Sequence, residues 1–276
     1  MIISDWLKTA TKSLKNIGIS SARLDAELIL ANTLRKNRTY LHAYLDEEID
    51  PRKFDIANAR LDLRLDRVPI AYILGYKEFY GRRFTVSPSV LIPRPESEDL
   101  ISLFLELTAS EITEKTLIDV GTGSGCLGII AKLERNNLSV ILSDVSKPAL
   151  KIAEKNADTL KADVTIQQQS LLNGQIRPVD YIFANLPYVD KDWDVSPELK
   201  YEPEIALFAE DEGLKLILEL ISQASRCLTS NGLLFIEADP CQHSRIIDTA
   251  IKNGFKEEKR LNYILALRLI CTQNQI

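Results

Sequence analysis

The segment FANLPYVD, residues 183–190, gathers three chemically useful groups at the end of an apolar run. Asn185 offers an acceptor oxygen and a two-hydrogen donor. Pro187 restrains residue 186 to extended geometry, which gives the Leu186 carbonyl a fixed direction. Tyr188 adds a flat aromatic face. Two acceptors and a ring suit a planar –NH2 group, whose two hydrogens both need partners. A plain strand-to-loop turn is the alternative, because Asn and Pro are common turn formers.

A second constellation lies upstream. The run TLIDV is followed at once by GTGSG, containing Gly121, Gly123 and Gly125, and then by a helical pattern from Cys126 to about Arg135. Glycines there let the backbone turn tightly and approach a ligand, and the next helix presents free N–H groups to it. The letters of Gly123-x-Gly125-x-x-Gly128 also fit the dinucleotide fingerprint. That register lies too far into the helix, which disfavours a nicotinamide-dependent dehydrogenase. Asp144 ends the next strand pattern, where a carboxylate can accept hydrogen bonds from two ribose hydroxyls. The plain alternative is a helix cap, but Ser146 serves that purpose equally well.

These groups need a sheet edge to position them, and the chain supplies the pattern for one. After TLIDV come the strand patterns LSVILSD, DVTIQQ, VDYIFA, GLLFIEA and the tail YILALRLI, with helical patterns at 147–160, 213–228 and ahead of Asn253-Gly254. Strand–helix alternation predicts a doubly wound, mostly parallel α/β sheet with helices on both faces. Residues 1–75 read as a small helical bundle with a capping box available from Ser21 or nearby polar residues and a helix opening at Asp50-Pro51. Residues 76–93 read as a linker with a short hairpin around Tyr80-Gly81, and 94–276 as the sheet domain, opened by a helix after RPESE.

Composition sets outer bounds. The chain has 276 residues, 45% hydrophobic and 26% charged, with a net charge of −5, as expected of a soluble protein with a sizeable core. The acidic balance argues against a general nucleic-acid binder. Four dispersed cysteines (Cys126, Cys227, Cys241, Cys271) and two histidines argue against a zinc site and for reduced thiols. His42 and His243 read as surface or cap residues. With no long apolar run and charges near the N-terminus, a cytoplasmic protein without membrane segments is expected.

Taken in order, the glycine loop, Asp144 and NLPY resemble the class I S-adenosylmethionine-dependent methyltransferases. NLPY is similar to the Asn-Pro-Pro-Tyr motif of enzymes that methylate planar –NH2 nitrogens. RVPIAYILGYKEFYGRRFTVSPSVLIPRPESE, YEPEIAL at 201–207 and the helical N-terminal region resemble the HemK/PrmC family, the N5-glutamine methyltransferases of peptide chain release factors. The resemblance implies a seven-stranded class I methyltransferase sheet with a helical substrate-docking domain. It implies S-adenosyl-L-methionine as methyl donor, held by Asp119, Gly121, Gly123, Gly125, Asp144, Ser170 and Asn185. Asn185, Leu186, Pro187, Tyr188 and Glu202 would hold the glutamine of a Gly-Gly-Gln loop in a class I release factor, and Asn185, Pro187 and Tyr188 would serve catalysis. No metal is implied.

Leu186 replaces the family's usual proline. Its carbonyl survives the change, but a fixed φ is lost and with it some preorganisation. Ser170 stands where an Asp often faces the donor's adenine. Trp193, Tyr201 and Glu202, in the long stretch 190–209, are placed to close over a substrate peptide, with a solvated surface loop holding one packed aromatic as the equal alternative for Trp193. Arg94 and Glu98 are expected, by resemblance, at the donor pocket. Methylation of adenine N6 or cytosine N4 in nucleic acid, and a non-catalytic donor-binding adaptor, are the competing functions.

Overall fold

The computed structural model describes residues 1–270, so Cys271 and the end of the tail lie outside the described residues. The chain divides into two compact units: Met1–Tyr76 with Ser196–Tyr201, and Lys77–Val195 with the chain from Glu202 onward.

The first unit is helical: α1 (Ile3–Asn16), α2 (Ala22–Leu34), α3 (Arg38–Ala43), α4 (Pro51–Leu65) and α5 (Ile70–Leu74). Trp6, Leu7, Leu14, Ile29 and Leu30 are buried in its core. At the start of α4 the Asp50 side chain accepts from the amides of Arg52 and Lys53, with Pro51 in the first turn, where its missing N–H costs nothing. The capping box expected at Ser21 does not form. Ser21 has φ −83° and ψ 13° and makes no side-chain cap bond, because a cap hydroxyl reaches the next turn from extended backbone. Arg64 Nε donates to Asp25 Oδ2 at 2.7 Å with both side chains buried, and Arg64 and Arg67 both engage Glu198 at 3.3 Å.

The second unit begins at Lys77, within the first strand of a hairpin, β1 (Tyr76–Phe79) and β2 (Arg82–Thr85), followed by α6 (Glu98–Leu107). Phe79 and Phe84 of the hairpin are fully buried in the same cluster as Phe104 of α6. Then come β3 (Lys115–Val120), α7 (Cys126–Glu134), β4 (Leu138–Asp144), α8 (Lys147–Leu160), β5 (Val164–Gln168), β6 (Val179–Ala184), α9 (Lys215–Cys227), β7 (Leu228–Glu237), α10 (His243–Lys252), β8 (Phe255–Leu261) and β9 (Ile264–Leu269). The sheet runs β5-β4-β3-β6-β7-β9-β8. All pairs are parallel except those made by β9, which is antiparallel to β7 and β8.

Buried parallel strands carry near-continuous apolar runs because both faces are covered by helices, and the sequences LID-V and YIFA obey that rule. On one face Phe104 stands edge-on to Tyr181, Phe183 and Phe235 at 5.0–5.8 Å between ring centres. The other face packs Ile118, Ile182 and Leu234 against Ile217, Leu220 and Ile221 of α9. The strand order reverses between β3 and β6, so a crevice opens at their carboxyl ends. Val120 pairs with Ala184 there, which places Gly121 beside Asn185. His243 departs from expectation: at 1% exposure it is buried, and its Nε2 lies 3.2 Å from the Ala238 carbonyl.

Candidate functional site

A cleft of about 550 Å³ lies at this crevice, lined by Asp119, the 121–124 loop, Asp144, Ser146, Ser170, Asn185, Leu186 and Pro187. Four separate strand ends thus meet at one place. Gly121, Gly123 and Gly125 all have positive φ, +70°, +54° and +81°, a region that side chains with a Cβ avoid. At Gly121 the reason is also steric, since a Cβ would stand 2.9 Å from Leu186 Cδ2.

Asp119 is buried, and its Oδ2 accepts from Thr122 Oγ1 at 2.6 Å and from Gly128 N at 3.0 Å. It therefore fastens the loop to the start of α7. Burial pushes its pKa up to about 6, against the pull of those two bonds and with a further push from the Asp144 charge. Gly128, part of the discarded fingerprint, has a use after all as the amide that closes this bond. Asp144 Oδ2 accepts from Gly123 N at 3.0 Å and Oδ1 from Ser146 N at 2.8 Å. Each oxygen keeps a lone pair for a ligand hydroxyl. Ser146 caps α8, accepting from Ala149 N, so the cap does not need Asp144.

Asn185 is half-buried, and its Nδ2 donates to Ser97 Oγ at 3.1 Å. That commitment leaves Oδ1 as the free-standing acceptor of the carboxamide. Leu186 is only 5% exposed and packs in the lower apolar cluster.

Several expected residues are placed differently. Tyr188 does not line the cleft: its ring packs against the lower cluster, and its hydroxyl reaches Glu237 Oε1 at 3.5 Å. Burial, followed by the Glu237 charge, raises its pKa. The stacking face expected in the cleft is therefore turned to the core instead. Its carbonyl is held by Gln242 Nε2 at 2.8 Å. Glu202 is buried, accepting from Ile92 N at 3.0 Å and from Arg94 Nη2 at 2.6 Å, so it anchors the backbone ahead of α6 rather than offering a free carboxylate. Arg94 does line the cleft. Glu98 is engaged by Tyr80 N at 2.8 Å.

The long stretch after the motif is gathered at its neck by an isolated bridge between Val189 and Phe208. Pro203, Ile205 and Ala206 of this stretch line the cleft, Ile205 with 64% of its surface exposed. Trp193 is half-buried and does not line it, and Tyr201 donates to Asp66 O at 2.6 Å within the helical unit.

Two residues of the site escaped the sequence reading. Ser97 lines the cleft beside Asn185. Glu237 ends β7, 1% exposed, and burial pushes its pKa up to about 7, against the pull of Ser97, Tyr188 and Asn185 and with a further push from Glu96. A carboxylate closing the apolar run LLFIE at the carboxyl edge was the available signal.

A seven-stranded sheet of this order, with a glycine loop after β3 and an acid ending β4, defines a class I methyltransferase fold. A 16S rRNA methyltransferase from T. Thermophilus, solved in complex with AdoMet and guanosine, shares that fold at a TM-score of 0.54 and 15% identity, covering 71% of this chain and 49% of that one. The family descriptions PrmC N-terminal domain and methyltransferase small domain match residues 5–75 and 98–199. The release factor glutamine methyltransferase of Leptospira interrogans is 35% identical over 268 residues, covering 92% of this chain and 91% of that protein. That of Koribacter versatilis is 38% identical over 256 residues, covering 87% and 89%. A bifunctional methyltransferase of Rickettsia conorii is 32% identical, and the match spans 54% of its length. The chain belongs to the release factor glutamine methyltransferase family.

Proposed function

We propose that this protein methylates the side-chain amide nitrogen of a glutamine in the Gly-Gly-Gln loop of a class I peptide chain release factor, with S-adenosyl-L-methionine as donor. The observation that carries the reading is Asn185 at the switch point, lining the cleft with its nitrogen tied to Ser97 and its oxygen left as acceptor. The names of the relatives support the same substrate.

The cleft fits the donor. The crowding of Gly121 against Leu186 marks a loop shaped for close approach, and Asp144 keeps acceptor capacity for ribose hydroxyls. Asp119 acts by bracing the loop, and Gly121, Gly123 and Gly125 by shaping it; Ser170 contributes an exposed hydroxyl to the cleft wall. The donor, once bound, supplies an electrophilic methyl on a sulfonium centre. Asn185 Oδ1 and the Leu186 carbonyl accept from the two amide hydrogens of the substrate, which aims the nitrogen and stabilises positive charge developing on it. Pro187 stiffens the turn that sets this pair. The helical unit serves as docking surface for the release factor. A reducing, cytoplasmic setting agrees with free thiols at Cys126, Cys227 and Cys241, and no helix among the described residues is long and apolar enough to cross a membrane.

The test is mass spectrometry of a class I release factor incubated with the protein and donor. One added methyl on the loop glutamine is expected. Asn185→Ala should abolish it while titration calorimetry still detects donor binding. Near-normal transfer by the variant would remove Asn185 from its role. A methylated adenine-containing oligonucleotide beside an unmodified release factor would favour the nucleic-acid reading, and donor binding without any product the adaptor.

A further inference from the structure

The turn that carries Asn185 and Leu186 is gripped from behind by a side chain that does not line the cleft. Gln242 ends the short helical turn Pro240–Gln242 ahead of α10 and is 5% exposed. Its Nε2 donates to the Tyr188 carbonyl at 2.8 Å and to the Glu212 carbonyl at 2.9 Å, and its Oε1 accepts from Asp239 N at 3.1 Å. A carboxamide nitrogen has two hydrogens to give, and both are used. With carbonyls on one side and an N–H on the other, the amide has only one satisfied orientation.

The same contact holds a strained segment in place. Asp211, Glu212 and Gly213 all have positive φ, 59°, 54° and 82°, a region that side chains with a Cβ avoid. Such strain persists only where the surroundings over-determine it. Arg245 pairs with Asp211 at 2.6 Å and with Glu212 at 3.2 Å, but on the exposed surface, where ion pairs hold little. The buried restraint is Gln242. Gly213 lets the two segments meet, since a Cβ there would run into the Tyr188 carbonyl and stand 2.8 Å from Gln242 Nε2.

Fixing the Tyr188 carbonyl constrains the residues before it. Proline locks φ at 187, so few soft dihedrals separate the Leu186 and Tyr188 carbonyls. The Tyr188 ring is itself packed in the lower cluster, which removes more of that freedom. We propose that Gln242 is a positioning residue for the transfer: by clipping the Tyr188 carbonyl to the left-handed 211–213 turn, it sets the direction in which the Leu186 carbonyl and Asn185 meet the substrate amide. The inference rests on the reading of those two groups as the acceptors of that amide. Gln242 lies outside the cleft lining and acts through the turn alone.

The experiment compares two members of one capping box, Asp239 and Gln242. The Asp239 side chain accepts from Cys241 N at 2.9 Å; only Gln242 reaches Tyr188. In the full chain, Gln242→Glu keeps the acceptor for Asp239 N but, ionised, has no hydrogen for either carbonyl. With the release factor as substrate its kcat should fall roughly ten- to hundredfold, the scale of a misplacement of about 1 Å, with the KM for S-adenosyl-L-methionine unchanged. Asp239→Ala should lower the urea midpoint and leave kcat as in the wild type. Gln242→Met, uncharged and of similar length, should show the same kcat loss and carries the comparison if Gln242→Glu does not fold. A second readout needs no substrate. In chains labelled with ¹⁵N-asparagine, the Asn185 side-chain signal, identified by its loss in Asn185→Ala, should be displaced by the Gln242 variants and not by Asp239→Ala. Wild-type kcat in the Gln242 variants, or an equal kcat loss in Asp239→Ala, overturns the proposal. A wild type that methylates nothing refutes the functional reading, and the Asn185 signal then decides the clip by itself: displaced by the Gln242 variants alone it stands, otherwise it falls.

Discussion

The contact between Leu186 and the glycine loop ties the two halves of the site together, and a double-mutant cycle measures it. Leu186 is 5% exposed, so Leu186→Ala removes buried carbons and leaves a cavity, at a cost of about 2–4 kcal/mol. Gly121→Ala forces a Cβ into a backbone with φ +70° and sets it 2.9 Å from Leu186 Cδ2. The left-handed strain costs roughly 1–2 kcal/mol. The crowding adds about 1 kcal/mol, the low end for overpacking, because the atom met is the tip of a side chain. Only the crowding disappears when Leu186 is already alanine. The double variant should therefore be less destabilised than the sum of the singles by about 1 kcal/mol. Urea unfolding of the four proteins at a common m-value gives each term. Additivity to within about 0.3 kcal/mol would refute the contact, since independent sites behave that way.

Gly213→Ala should be more damaging, because a Cβ there would meet the Tyr188 carbonyl oxygen at 2.1 Å and its carbon at 2.6 Å, at φ +82°. Backbone on both sides cannot yield cheaply, so a loss of roughly 3 kcal/mol or more is expected by urea unfolding, with turnover falling as the motif is displaced. Stability should also depend on pH through Glu237, whose pKa rises from 4.5 in the unfolded chain to about 7 when folded. The folded state then binds the proton more tightly, so the contribution is fully present below about 4.5 and is lost as pH rises through about 7. It amounts to roughly 3 kcal/mol. Glu237→Gln should flatten that part of the stability profile, and an unchanged slope would refute the assignment.

The parts legible in sequence were those built from local pattern. Apolar runs ending in glycine, acid or asparagine revealed β3, β4 and β6, and the cleft opens at their carboxyl ends. β8 was missed because FKEEKRL is a charged edge strand, paired only with β9 and with its alternation broken between Glu257 and Lys259. α3 was missed because six residues hold too few turns for a period to show. The seventh strand therefore came from the resemblance and not from periodicity. At the site, Ser97 and Glu237 went unread because their hydrogen bonds, to Asn185 and from Tyr188, join segments distant in the chain. The orientations of Tyr188 and Glu202 failed for the complementary reason. A motif says which residue stands after a strand, but whether its side chain turns into the cleft or the core depends on what packs there.

Leu186 shows how packing can replace a covalent restraint. Proline at this position would hold the turn through its ring. Leucine has no such ring, but its side chain is buried in the lower apolar cluster and pressed toward Gly121, so moving the backbone would expose it. One residue earlier, Asn185 is bound sideways to Ser97. Two residues later, the Tyr188 carbonyl is gripped by Gln242, which also binds the Glu212 carbonyl. The turn is thus held at three points, Asn185, Leu186 and Tyr188, by three different segments. Rigidity that proline would concentrate in one dihedral angle is here spread over neighbours, which makes the geometry of Asn185 and the Leu186 carbonyl depend on residues far from the motif in sequence. Substitution of Gln242, which does not line the cleft, should accordingly shift Asn185 and the Leu186 carbonyl without touching a bound ligand.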